Sequence, residues 1–290
     1  MNRIVKIFDR LVFGNLFIGL CSVALVFTTF LLNDIPIQLT PSVSLVFFAT
    51  WFYYNFHHHS HHLEFDSLLR FRQSIVNLKL NAMDFLFLVI PAIGIIISLL
   101  ALNVAVLVTF LTITLFSLLY SIPLVKWNGR RRRLRESLLL KLPFLSLSWA
   151  AVTAMIPLLE QNQHIDTANI LGQAFARALF IYGLCIPFEI RDFDTEKRWG
   201  TNTLPVVYGI RITKITGILI LGVGIILRHI MKGQMILAPA AIFALDLSFL
   251  FAMLWILMAK SNPPKYFCKI YVDGTMILQF IFVYLTSLMS

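Results

Sequence analysis

Long apolar runs alternate with polar stretches and divide the chain into nine candidate spans. They cover roughly 11–31, 38–56, 83–100, 103–122, 139–159, 167–188, 212–229, 236–258 and 268–288. A helix needs about 20 mainly apolar residues to cross a hydrocarbon layer of about 30 Å, and each run comes close to that length. The third and fourth spans come from one apolar stretch too long for a single crossing, divided near Asn103. The pattern predicts an all-α fold, a polytopic membrane bundle of about nine transmembrane helices. It forms a single membrane domain over residues 1–290. Helices 1–4 (about 11–122) and helices 5–8 (about 139–258) share one layout, with a long polar loop between their second and third members. The ninth helix, 268–288, stands outside that pseudo-repeat. Arg3, Lys6 and Arg10 precede the first run as in a signal peptide. The run itself is too long for a signal core and lacks a small-x-small cleavage site, so it reads as the first membrane helix.

Composition agrees with a bilayer environment. The chain is 59% hydrophobic with a mean hydropathy of +0.83, more apolar surface than a soluble domain of 290 residues requires. A net charge of +10 would suggest nucleic acid in a soluble protein. Here the distribution of Lys and Arg along the chain accounts for it, and no nucleic-acid partner is expected. All of the 24 Lys and Arg except Arg177, Arg228 and Lys232 fall in the N-terminal segment, or in or within three residues of the loops after even-numbered spans. That bias predicts a cytoplasmic N-terminus and an external C-terminus. The expected location is a multi-pass position in a bacterial cytoplasmic membrane, with bilayer lipid as the constant partner. Cys21, Cys185 and Cys268 form neither a disulfide framework nor a metal-ligand spacing.

The chemistry-bearing stretch follows the sixth span, from Glu189 to Pro205. If the helix continues, Glu189, Asp192 and Glu196 share one face, while Asp194 points elsewhere. Carboxylates gathered at a helix mouth suit a hard divalent cation such as Mg2+, which bridges readily to phosphates. The competing reading is a solvated loop whose mixed charges neutralise one another. In the loop after span two, residues 67–80 mix apolar and basic side chains. They read equally as an interfacial helix or as a plain connector.

Arg191-Asp192-x-x-x-Glu196-x-x-x-Gly200-x-x-Thr203-Leu204-Pro205 resembles the second aspartate-rich motif of the UbiA superfamily of intramembrane prenyltransferases. The family's motif has aspartate where Glu196 stands. Tyr120-Ser-Ile-Pro123-Leu-Val-Lys126 is similar to the family's segment after the fourth helix, and Lys141 through Trp149 to the start of its fifth. The resemblance implies helices around a central cavity with a cytoplasmic cap. It also implies transfer of a polyprenyl group from a polyprenyl diphosphate donor to a lipophilic, aromatic acceptor. Asp192 and Glu196 would then be catalytic Mg2+ ligands, with Glu189 beside them. Tyr120 would orient a phosphate or face the acceptor. Lys126, Arg191, Arg198 and Asn55 would bind substrate. The plainer role for Lys126 and Arg130 to Arg133 is topology and attraction to lipid headgroups.

The first motif departs from the family. Asn55 matches, but the two expected aspartate positions hold His59 and Leu63. Asn55, His59, His62 and Asp66 fall on one helical face, and imidazole suits Zn2+ or another transition metal better than Mg2+. Glu64 or Asp66 substituting, a different metal, a decayed diphosphate site, and histidines with no ligand all remain open. The alternative function is therefore a UbiA-fold protein that binds an isoprenoid or quinone lipid without transfer. A secondary transporter fits less well, because the charge clusters lie at the mouth rather than the midplane. Within the spans, Arg177 is expected to pair with Asp246 as a structural ion pair, and Asp273 to line the cavity. The 26 phenylalanines read as lipid-facing bulk.

Overall fold

In hydrocarbon each backbone N–H and C=O must pair within its own segment, so apolar runs of this length become helices. The computed structural model describes residues 9, 11–60, 82–121, 125–127, 130–132, 140–161, 166–231 and 237–289. For residues 57–60, 82, 116–121 and the two short strands, the description is of the backbone alone.

The helices are α1 (Leu16–Leu31), α2 (Pro41–Ser60), α3 (Ala82–Leu100), α4 (Val104–Ser121) and α5 (Lys141–Glu160). They continue as α6 (Thr167–Arg191), α7 (Phe193–Trp199), α8 (Leu204–Ile230), α9 (Pro239–Met258) and α10 (Phe267–Ser287). One antiparallel pair, β1 (Val125–Trp127) with β2 (Arg130–Arg132), lies between α4 and α5. Among the described residues, six helices are long and apolar enough to cross a membrane: α3, α5, α6, α8, α9 and α10. The molecule is a helical membrane bundle. Its outer surface is apolar, with Leu100, Leu219, Ile226 and Ile230 exposed and so placed to meet lipid.

The start signals follow ordinary helix chemistry. Asp166 caps α6, its carboxylate accepting the Ala168 N–H at 3.3 Å. Pro239 opens α9, and Pro205 stands in the first turn of α8, where a missing N–H costs nothing. The seventh apolar run is longer than its expected limits of 212–229, since α8 begins at Leu204. Gly209, at φ 82° and ψ 159°, puts a break inside it that a side chain would strain. Arg211 and Lys214 suggest a loop in the sequence, yet both lie on this helix. Lys214 donates to the carbonyl of Leu257 in the last turn of α9 at 2.7 Å.

Helix α1 packs on α2 and α10, α10 on α9, α9 on α8, α8 on α6, and α6 on α5. The bulk of the core lies between them, around Leu25, Phe180, Leu184, Ile186, Leu221, Phe249 and Ile256. Glycines set the α6–α8–α9 spacing. A Cβ on Gly183 would come within 2.6 Å of Leu221, and one on Gly224 within 2.6 Å of Phe249. Such close approach lets packing replace the hydrophobic drive that lipid cannot supply. Two π-helical turns interrupt the regular ladder, Ala151–Met155 in α5 and Phe267–Val272 at the start of α10.

The expected Arg177–Asp246 pair does not form. Asp246 on α9 pairs with Arg228 and, at 2.7 Å, with His229 on α8. Arg177 instead donates to the Leu25 carbonyl at 3.0 Å and to the hydroxyls of Thr153 and Thr29 at 3.3 Å. Antiparallel packing of α6 on α8 brings Arg177 towards Arg228, and Arg228 takes the carboxylate.

At the same end of the bundle as Arg228, Glu160 closes α5 and ties down the start of α2. Its carboxylate accepts from the Thr40 hydroxyl at 2.6 Å, from the Ser42 N–H at 3.2 Å and from the Ser42 hydroxyl.

Candidate functional site

The C-terminus of α6 and the N-termini of α5 and α10 meet at one end of the bundle, and most of the sequence candidates are gathered there. Helix α6 ends at Arg191, and Asp192 forms the junction to the short helix α7. Asp192 serves both helices there: its N–H donates to the Phe188 carbonyl at 3.0 Å, and its own carbonyl accepts the Glu196 N–H at 2.9 Å. Gly200 then takes the left-handed conformation that stops α7.

Glu189 and Glu196 converge on one cation. Lys141 Nζ lies 2.6 Å from Glu189 Oε1 and 3.0 Å from Glu196 Oε1. The Glu189 side chain is 7% exposed and that of Glu196 13%, so one ammonium is shared by two carboxylates largely withdrawn from water. Glu196 Oε2 is buried with no hydrogen-bond partner among the described residues. Asp192 turns the other way. Its oxygens accept both Nε and Nη2 of Arg191 at 2.7 and 2.9 Å, and its side chain is 45% exposed. Arg191 also lies over the Phe188 ring, 5.1 Å from its centroid. The three carboxylates therefore fall into two groups, Glu189 and Glu196 sharing Lys141 and Asp192 paired with Arg191, rather than one shared centre. Arg198 is exposed and donates to the Thr195 hydroxyl at 3.3 Å.

Asn55 is buried and serves the join between α1 and α2. It accepts from Asn15 Nδ2 at 3.2 Å and donates to the carbonyls of Gly14 and Trp51. Asn15 in turn accepts from Lys269 at 3.0 Å. Asp273 is buried on α10, within electrostatic reach of Lys269 and Arg191. A more exposed tie closes the same end, where Asp9 accepts from Lys265 Nζ at 2.8 Å and from the Tyr266 hydroxyl at 2.6 Å. Those two bonds hold the Asp9 carboxyl below its ordinary range and the Lys265 ammonium above its own.

His62, Glu64, Asp66 and the 67–80 segment lie outside the described residues, as do the side chains of His59, Tyr120 and Lys126. The backbone places His59 in the last turn of α2, Tyr120 in the last turn of α4 and Lys126 in β1. Among the described residues, no three His, Cys, Asp or Glu side chains gather closely enough to hold a metal.

Lys141, Lys269 and Asn15 are partners that motif reading passes over. A signal for Lys141 existed in the sequence: it is a lysine at the first position of an apolar span, on the side expected to carry the acids. No family model matches the chain, and no curated protein or solved structure matches it either, so the UbiA resemblance rests on its motif residues.

Proposed function

We propose that the chain is a UbiA-type prenyltransferase, moving a polyprenyl group from its diphosphate to a lipophilic, aromatic acceptor at the Glu189–Glu196 end of the bundle. The reading includes the finer architecture of nine membrane-spanning helices, with that end facing the cytoplasm. What carries it is the convergence of buried Glu189 and half-buried Glu196 on one cation position, with Glu196 Oε2 left unpartnered among the described residues.

Oxygen donors of this kind fit Mg2+, and Lys141 Nζ stands where Glu189 and Glu196 would share such an ion. Asp192 would join them on leaving Arg191. Bound there, Mg2+ would supply the charge that holds a diphosphate and stabilises it as a leaving group. Arg191, once released, presents its guanidinium fork to phosphate oxygens, and Lys141 adds a second cation. The apolar core behind Glu189 keeps water from the donor's reactive carbon. A second reading has its own support: every one of these carboxylates already has a cationic partner. That arrangement suits a protein that binds an isoprenoid or quinone lipid without transferring it.

The test supplies purified protein with Mg2+, polyprenyl diphosphates of several lengths and a panel of acceptors. Diphosphate release is expected, reduced roughly a hundredfold in Asp192→Ala and Glu196→Ala and kept in Thr216→Ala. Mg2+-dependent diphosphate binding without release would establish the binder instead, and absence of both would remove the two readings together. Recovery of chelated protein by Zn2+ alone would move the metal to His59 and His62.

A further inference from the structure

A second polar centre lies at the opposite end of the bundle and is independent of the reading given to the acidic end. It is a small, partly open cleft between α1, α6, α8, α9 and α10. Its polar lining is Gln173, Arg177, Arg228 and Gln279, set among Phe180, Leu245 and Phe249.

Its charge does not balance. Arg177 is 6% exposed and stands ten residues into α6, about 15 Å along a helix that crosses about 30 Å of hydrocarbon. Guanidinium keeps its charge in proteins. Yet the hydrogen-bond partners of Arg177 are one carbonyl and two hydroxyls, all neutral. Arg228, 1% exposed, is close enough to Arg177 for the two to repel. Its Nη1 has Asp246, its face lies 4.2 Å from the centre of the Phe249 ring, and its Nε has no acceptor among the described residues. Asp246 also holds His229, and it is the carboxylate that partners either arginine among the described residues. Two arginines against one aspartate leave one positive charge in a low-dielectric setting, where an uncompensated ion is costly.

Polar satisfaction is incomplete as well. Gln279 donates to Ser248 Oγ at 2.8 Å, while its Oε1 is buried without a donor among the described residues. Gln173 is already engaged with Asn33 and Asn169. A water could bridge Arg228 Nε and Gln279 Oε1 but would leave the charge in place. The narrow depth of the cleft admits groups of about one or two waters in size, too small for a diphosphate.

We propose that this cleft binds one small monovalent anionic group between Arg177 and Arg228, a halide or a carboxylate. The group comes either from solution or as the headgroup of a long-chain carboxylic acid, whose tail would leave through the open side of the cleft.

The experiment measures the unfolding midpoint of delipidated protein in chloride, formate and gluconate at one ionic strength, and then with laurate against dodecanol. A saturating rise of a few degrees in chloride or formate over gluconate identifies a dissolved anion. A rise confined to laurate identifies the lipid headgroup. Arg177→Gln should abolish the response. Because that variant also breaks three hydrogen bonds, Gln279→Glu provides the second arm. It places a carboxylate in the cleft, so its midpoint in gluconate should rise and its response to added anion should vanish. A wild-type midpoint indifferent to chloride, formate and laurate alike, or an undiminished response in Gln279→Glu, overturns the proposal.

Discussion

Lys141 gives one ammonium to two carboxylates, and the pattern repeats across the molecule: ionisable side chains sit where a neighbouring helix end can answer them. Asp9 offers the cleanest measurable case, because it lies outside the spans. Its folded pKa is depressed by its bonds to Lys265 and Tyr266. The stability from this tie is therefore present above the ordinary aspartate range of about 4 and is lost as pH falls through the lowered value. Lys265, raised, loses its share only as pH climbs past about 10. Unfolding midpoints recorded from pH 6 to 3 should drop less steeply in Asp9→Asn than in the parent. Equal slopes would show the tie to be idle. At this scale the sequence was legible for the acids and poorly legible for their partners. Glu189 and Glu196 are plain in the motif. That their cation is Lys141, and that Arg228 rather than Arg177 takes Asp246, depends on helix register, which spacing along the chain does not encode.

At the scale of elements, packing rests on a few places where backbones approach closely. Gly217, Leu221, Gly224 and Arg228 form one buried stripe of α8 against α6 and α9. Gly224→Leu would drive its side chain into Phe249 and Leu179. The expected cost is about 1–3 kcal/mol, seen as a lower unfolding midpoint in detergent. Gly222 meets nothing within 4 Å, so Gly222→Ala should change the midpoint little. Equal effects at the two sites would contradict the packing described. Helix existence was readable throughout, since every apolar run in the sequence has a helix at its place. Boundaries were less so. The seventh span was expected from 212, yet its helix starts at Leu204 and takes in Arg211, while Lys214 reaches a carbonyl at the end of α9.

For the whole molecule, the charge bias predicts which end faces the cytoplasm, and the geometry offers a clean way to ask. Cys21 and Cys268 are buried and Cys185 half-buried, so background reaction with an impermeant maleimide should be low. In intact cells Leu39→Cys, 82% exposed beyond α1, should be labelled. Asn262→Cys, on the exposed turn between α9 and α10, should be protected until the membrane is opened. The reverse pattern would place the Glu189–Glu196 end outside and would remove the cytoplasmic setting assigned to it. The Glu160 clamp carries a consequence for biogenesis. Thr40 and Ser42 meet a carboxylate that lies 120 and 118 residues further along the chain. During synthesis the first two helices must therefore enter the bilayer with the turn between them unlatched. The latch closes only when the fifth helix arrives, so the first hairpin stays unfastened while the 118 residues from Ser42 to Glu160 are made.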